Sequence, residues 1–373
     1  ASSYLDGDAF VGMREHMRRV CDEIWIIDLG GEGRGTRQSE NVFAIQTPVA
    51  IAIAVRYARE SQRDVPAKVH FTRVEGSRDE KLRRLEAIQS FDDLNWETCP
   101  ETWQAQFRPA GRGAFFDWPD LADLLPWQHS GVQLKRTWPI APDSETLNRR
   151  WRALMHAEDR ATAFKESGDR VISRPYKPLL RNQEWQPSIA DMPSDAPTPL
   201  VKSYGFRSFD RHKVIVDGRL MSRPRPELWA AHSARQVYFA TQLSAPLGRG
   251  PALTVSADVP DLHFFSGRGA KDILPLYRDS AAEQPNLPPG LLELLQDCYE
   301  TDVSAEDWAA YLYSVLAHPA YCDRFADELS HSEIHVPVAR QYSVFKTAVA
   351  IGRQLIWLHT FGERMVPDGY RVG

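Results

Sequence analysis

The pattern of apolar positions changes character several times along this chain. After Asp8, the residues Phe10, Met13, Met17, Val20 and Ile24 are spaced by three and four, which predicts a short amphipathic helix opened by a carboxylate cap. Ile24-Trp25-Ile26-Ile27 comes next as an unbroken apolar run, the pattern of a strand buried on both faces. A Gly-rich stretch, Gly30 to Gly35, leads to a β-branched segment from Val42 to Val55 with Pro48 inside its start. There Val49, Ile51, Ile53 and Val55 alternate with alanines, as in a sheet strand with a close-packed neighbour. Val69 to Val74 predicts another strand, and Asp79 to Ile88 a charged connecting helix. The opening therefore reads as part of an α/β sheet, too short to be a complete one.

The region to about Gly113 reads as a linker containing Trp and Pro. From Phe115 to about Leu276 short strands, prolines and Gly-rich turns alternate. The end is helical. Ser304 and Asp307 have the spacing of a capping box before Trp308, Tyr311, Leu312, Val315 and Leu316. Pro319 ends that helix and can open the next, carrying Phe325 and Leu329. A last helix carries Val344, Phe345, Ala348, Ile351, Leu355 and Leu358. No internal repeat is visible.

Composition sets limits. The 373 residues suffice for about two domains, and the 43% hydrophobic and 25% charged residues are those of a globular chain. No run of about 18 apolar residues occurs, so no membrane span is expected. Ala1 to Asp8 lack a basic stretch followed by an apolar run, so no signal peptide is expected there. Cys21, Cys99, Cys298 and Cys322 form no CxxC pair, which suits reduced thiols and a cytoplasmic setting. The net charge of −5 argues against coating nucleic acid by bulk charge. It is unevenly distributed. Seven basic residues face two acidic ones between Lys202 and Arg225, whereas eleven acidic residues face Arg324 alone between Glu283 and His335. That asymmetry points to a partner with a charged surface, or to two solvated faces.

Familiar catalytic patterns are missing. Gly30 to Gly35 resembles a nucleotide-binding loop, but such a loop needs a following helix whose amides hold the ligand, and here a strand pattern succeeds it. HExxH, GxSxG and GxxxxGK[ST] do not occur. His331 and His335 could share a helix face, but no third metal ligand accompanies them.

The basic middle is the informative segment. Aromatics interleave with arginines through Tyr204-Gly205-Phe206-Arg207-Ser208-Phe209-Asp210-Arg211-His212-Lys213, with Arg219 and Arg223-Pro224-Arg225-Pro226 beyond. Such a composition suits phosphate contacts with base stacking, and equally a set of structural ion pairs in which Asp210 holds Arg207 or Arg211.

Taken in order, several stretches resemble the C-terminal part of the large adenine-N6 DNA methyltransferases of type ISP and related single-chain restriction–modification enzymes. They include Tyr4-Leu5-Asp6-Gly7, Glu23 to Gly31, Asn41 to Thr47, Ser130-Gly131-Val132, Phe206 to Arg211, Arg223 to Pro226, Asp261 to Gly269, Tyr313 to Leu316, Pro319-Ala320-Tyr321 and Gly352 to Leu355. No single stretch is diagnostic; their order and coverage carry the match.

The resemblance implies a fold that runs from α/β to α+β. Residues 1–76 would be the last strands of a Rossmann-like methyltransferase sheet and 77–114 a helical linker. Residues 115–373 would be a mixed α+β target-recognition domain with a helical C-terminal end. It implies double-stranded DNA as partner, a flipped target adenine with Phe43 as the stacking candidate, and a restriction–modification or phage-defence setting. Arg207, Arg211 and Lys213 would lie near DNA, with Arg219, Arg223 and Arg225 as phosphate contacts. Ser130, Gln133, Lys135 and Arg136 are further candidates. Ser208 stands where the family pattern has proline, which puts the rigidity of that turn in doubt. The Asn-Pro-Pro-Tyr type of motif and the Gly-containing loop for S-adenosylmethionine are not found in this sequence. The expectation is therefore a fragment or split subunit that binds no cofactor and is inactive alone, S-adenosylmethionine serving the full-length enzyme and its N-terminal catalytic and nuclease parts. The alternative is a specificity subunit that docks a separate catalytic chain.

Overall fold

A computed structural model describes residues 2–31, 40–45, 47–57, 65–109, 114–166, 171–174, 187–243, 250–264, 272–326, 328–330 and 333–370. The chain divides into two compact units, Ala1–Phe116 and Asp117–Gly373.

The first unit contains α1 (Val11–Val20), β1 (Glu23–Gly30), β2 (Val49–Val55), β3 (Lys68–Arg73), α2 (Arg78–Glu86) and β4 (Glu97–Thr98). The sheet order is β2-β1-β3-β4, with β1 parallel to β3 and antiparallel to β2. The apolar run of β1 is buried on both faces as its pattern predicts. Ile24 and Ile26 pack with Val69, Phe71 and Phe107 on one side. Ile27 and Leu29 pack with Val49 and Val74 on the other. β2 lies at the edge of this sheet, and its Ile51 and Ile53 are exposed.

Two expectations fail here. The strand pattern from Val42 begins only at Val49. Asn41 competes with the ladder: its Nδ2 donates to the carbonyls of Gly31 and Thr47, and its Oδ1 accepts from the Phe43 amide. The second failure concerns α1, whose buried residues are Arg14 and Arg18, while Met13 and Val20 are exposed. The guanidinium of Arg14 donates to the carbonyls of Tyr4 and Gly7, and that of Arg18 to Ala67 and Gln106. A guanidinium brings five donors, so it can be buried where loop carbonyls lack partners. Of the Gly-rich stretch, residues 32–39 lie outside the described residues; the chain resumes in the Asn41 turn and enters β2.

The second unit contains α3 (Leu121–Leu124), β5 (Ile140–Ala141), α4 (Ser144–Met155), α5 (Arg160–Phe164), β6 (Val201–Arg207), β7 (Asp210–Ile215) and α6 (Pro226–Ala230). It continues with β8 (Tyr238–Thr241), β9 (Thr254–Ser256), β10 (Asp272–Pro275), α7 (Leu291–Tyr299), α8 (Ala305–Leu316), α9 (Pro319–Arg324) and α10 (Tyr342–His359). Two antiparallel sheets, β5-β7-β6 and β10-β8-β9, contribute to one core through Tyr204, Val214, Tyr238 and Ile273. This is a mixed arrangement of small sheets and helices.

The helical end matches its sequence pattern closely. The Ser304 hydroxyl accepts from the Asp307 amide at 3.0 Å and the Asp307 carboxylate accepts from the Ser304 amide at 3.1 Å, closing the capping box. Pro319 opens α9, which ends at Arg324; Leu329 sits in a separate 3-10 turn. α10 packs on α8 so tightly that a Cβ on Gly352 would collide with the Ala310 carbonyl. Only glycine fits at this crossing. Among the described residues no helix is long and apolar enough to cross a membrane.

Candidate nucleic-acid interface

In the second unit, the separate stretches that carried the resemblance converge on Asp261. Val132 pairs with Asp261 in a parallel bridge, Gly205 pairs with Pro260, and the Ser208 amide donates to the Phe264 carbonyl at 2.8 Å. A Cβ on Gly131 would meet the Asp261 carbonyl oxygen at 2.5 Å, so this approach also requires glycine. The buried Asp261 carboxylate accepts from the Tyr204 hydroxyl at 2.7 Å and pairs with Arg207 at 3.1 Å. Burial and this carboxylate push the Tyr204 phenol well above its ordinary pKa.

This geometry divides the basic candidates into two groups. The first is neutralised within the fold. Arg207 pairs with Asp261, Arg211 with Asp258 at 2.7 Å and with Glu363 at 2.6 Å, and Arg219 with Asp217 at 2.5 Å. Burial works against the Arg211 charge, but Glu363 and Asp258 hold its pKa above the ordinary value. Burial raises the Asp258 pKa, against the pull of Arg211. Asp210 lies opposite Arg207 in the β6–β7 register, but its carboxylate pairs instead with His212, 3.1 Å from Nε2.

The second group gathers on the surface. The backbones of Gln133 and Arg223 exchange hydrogen bonds of 3.0 and 2.9 Å, which sets two loops side by side. The Arg223 and Lys135 side chains are exposed. Arg225, in a left-handed conformation with φ +51°, donates to the Ser130 hydroxyl and leads into α6, whose Trp229 indole donates to the Pro224 carbonyl at 2.8 Å. Arg136 stacks on Phe164 and donates to the carbonyls of Phe164 and Lys165, which brings Lys165 into the patch. Lys165 has no motif around it, so the sequence pattern does not single it out. Lys213 projects from β7 and bonds Ser203 across the hairpin at 2.8 Å.

Phe43 belongs to the first unit and is 61% exposed in the Asn41 turn, so it is not a core strand residue. His335 bonds the Trp118 carbonyl through Nδ1 at 2.7 Å; His331 lies outside the described residues, as do Phe265 to Gly269. Among the described residues no group of three His, Cys, Asp or Glu is placed to hold a metal.

A family profile described as the Type ISP C-terminal specificity domain matches residues 123–371. The chain belongs to this family. Solved structures similar to the specificity chain include a cryo-EM DrdV–DNA complex, at 21% identity and a TM-score of 0.62, covering 96% of this chain and 37% of that one. A nuclease-deletion mutant of the type ISP restriction–modification enzyme LlaGI with a DNA substrate mimic matches at 17% identity and TM-score 0.59, over 96% of this chain and 29% of the other. The ATP-dependent type ISP enzyme LlaBIII bound to DNA matches at 16% and 0.59, over 96% and 24%. The chain thus spans about a quarter to just over a third of the length of these relatives. No curated protein sequence matches it.

Proposed function

We propose that the second unit reads a DNA sequence on behalf of an adenine-N6 methyltransferase in a bacterial restriction–modification system. The observation that carries this reading is the cluster of exposed Lys135, Lys165 and Arg223 with half-buried Arg136 and Arg225, on segments joined by the Gln133–Arg223 pairing and the Arg136–Lys165 contact. Arginine in such a place can grip phosphate or fork onto guanine O6 and N7. That the similar solved structures are DNA complexes supports the same reading.

The first unit is the end of the catalytic sheet in this proposal. Its support is the apolar outer edge of β2, which invites a further strand. Phe43 stacks on the flipped adenine, a role that its exposure permits. S-adenosylmethionine would supply the methyl group to the complete enzyme. Among the described residues, Asp28 near the end of β1 is engaged by the protein itself: it accepts from the Gly30 amide at 3.0 Å and lies 3.6 and 3.4 Å from Arg73 and Arg108.

Salt titration of duplex binding tests the reading. Affinity should fall steeply with salt, and Arg223→Ala or Lys135→Ala should each reduce the slope of log K against log[salt] by about 0.9 if one phosphate contact is lost. Salt-independent binding, or no binding, would overturn it.

A further inference from the structure

Phe209 is the most exposed phenylalanine of the second unit among the described residues, at 57%. It stands at the tip of the β6–β7 hairpin, where Arg207 pairs with Asp210 and only Ser208 and Phe209 make the turn. Its φ is +59°, the left-handed region in which such a turn favours glycine or asparagine. A bulky side chain held there is strained, and strain of this kind collects at functional sites. Eight non-glycine residues share the conformation among those described, and the three basic ones, Lys135, Lys165 and Arg225, all belong to the basic cluster. Segment 260–264 ties Phe209 to that cluster. It holds Val132, the neighbour of Gln133, by a bridge at Asp261 and a 2.7 Å bond from the Leu262 amide. It holds the hairpin tip by the 2.8 Å bond from the Ser208 amide to the Phe264 carbonyl. From another side the His359 ring meets the Phe209 ring edge-on at 4.9 Å. The tip is thus braced, while most of Phe209 stays open.

We propose that Phe209 is a DNA wedge whose ring inserts between two base pairs of the bound duplex and unstacks that step. The wedge rests on the DNA-reading role proposed above. An apolar side chain used in this way kinks a duplex by about 20–90°, and a bent duplex meets more of the protein surface. A protein partner fits this surface less well. Arg207 and Asp210 flank the ring in the chain, Asp210 pairing with His212 at 3.1 Å. The other exposed ring nearby, Phe361, is stacked on the Arg211 guanidinium at 4.5 Å. Phenyl rings set singly among charged groups fall far short of the ~1,200 Å² of a stable protein interface. A single ring face is what one base step accepts.

The test uses the 373-residue chain and a duplex, selected from a random-sequence pool by binding to it, that carries a donor and an acceptor dye at its ends. Binding should shorten the end-to-end distance read by energy transfer. Phe209→Leu keeps an apolar side chain against His359 but has no flat face. It should weaken binding about 5- to 150-fold, the equivalent of the roughly 1–3 kcal/mol of one base–aromatic stack. The duplex it binds should be straighter, and the salt slope should stay at the wild-type value, since no phosphate contact is lost. Phe209→Tyr, which keeps the ring face, should bind and bend as the wild type does. A wild type that binds with the expected salt dependence but leaves the duplex straight, a Phe209→Leu chain that binds and bends like the wild type, or equal losses in Phe209→Leu and Phe209→Tyr would overturn the wedge and leave the DNA-reading role standing. No duplex binding by the wild type would overturn both.

Discussion

Truncating Asp261 removes the acceptor for the Tyr204 hydroxyl and the counter-charge of Arg207 together. Breaking a fully buried pair costs about 3–5 kcal/mol. Arg207 is 37% exposed and partly solvated, so the expectation for Asp261→Ala is lower, roughly 2–4 kcal/mol in urea unfolding. Asp261→Asn, which keeps an acceptor, should lose less. His232 gives a pH signature. Burial, helped by Lys202 and Arg364, pulls its pKa down to about 4. The unfolded chain therefore binds a proton between its ordinary value near 6.5 and 4 that the native state refuses. Stability is full above pH ~6.5 and falls as pH drops towards 4, by up to about 3 kcal/mol. His232→Gln should flatten that part of a stability-versus-pH curve.

At the scale of elements, the α8–α10 crossing rests on a missing side chain. Gly352→Ala should destabilise the second unit by about 1–3 kcal/mol in thermal or urea unfolding, because the added methyl meets the Ala310 backbone rather than a movable side chain. A neutral result would mean that the helices separate easily. Elements whose signals are local were legible beforehand: the double-faced run of β1, the Ser304 cap, the proline that opens α9. Those decided by distant partners were not. Apolar spacing in α1 could not reveal that two arginines, each meeting carbonyls from other segments, would be its buried side. In α10 the pattern grouped Val344, Phe345, Ala348, Ile351, Leu355 and Leu358, yet could not say that Phe345 is buried while Val344, Ile351 and Leu358 are exposed. The basic middle was legible as a segment only, because the counter-charges of Arg207 and Arg211 lie 47, 54 and 152 residues away, at Asp258, Asp261 and Glu363.

For the molecule as a whole, the net charge of −5 now has a structural reading. Much of the basic segment is paired inside the second unit, while Lys135, Lys165 and Arg223 are exposed. The two groups separate in experiment. Arg211→Ala should lower the unfolding midpoint, since Asp258 and Glu363 lose their shared cation, and leave the salt slope of the remaining folded protein near the wild-type value. Arg223→Ala should do the reverse.

The pairing of Gln133 with Arg223 has one more consequence. Those two residues hold each other entirely through main-chain atoms, so the ladder is indifferent to the side chains mounted on it. At the exposed position 223 a new residue arrives on a backbone already fixed, whereas the half-buried Gln133 side chain must be replaced within its surroundings. Substitutions at 223 should therefore leave the unfolding midpoint near the wild-type value, while the framework around Asp261 stays as it is.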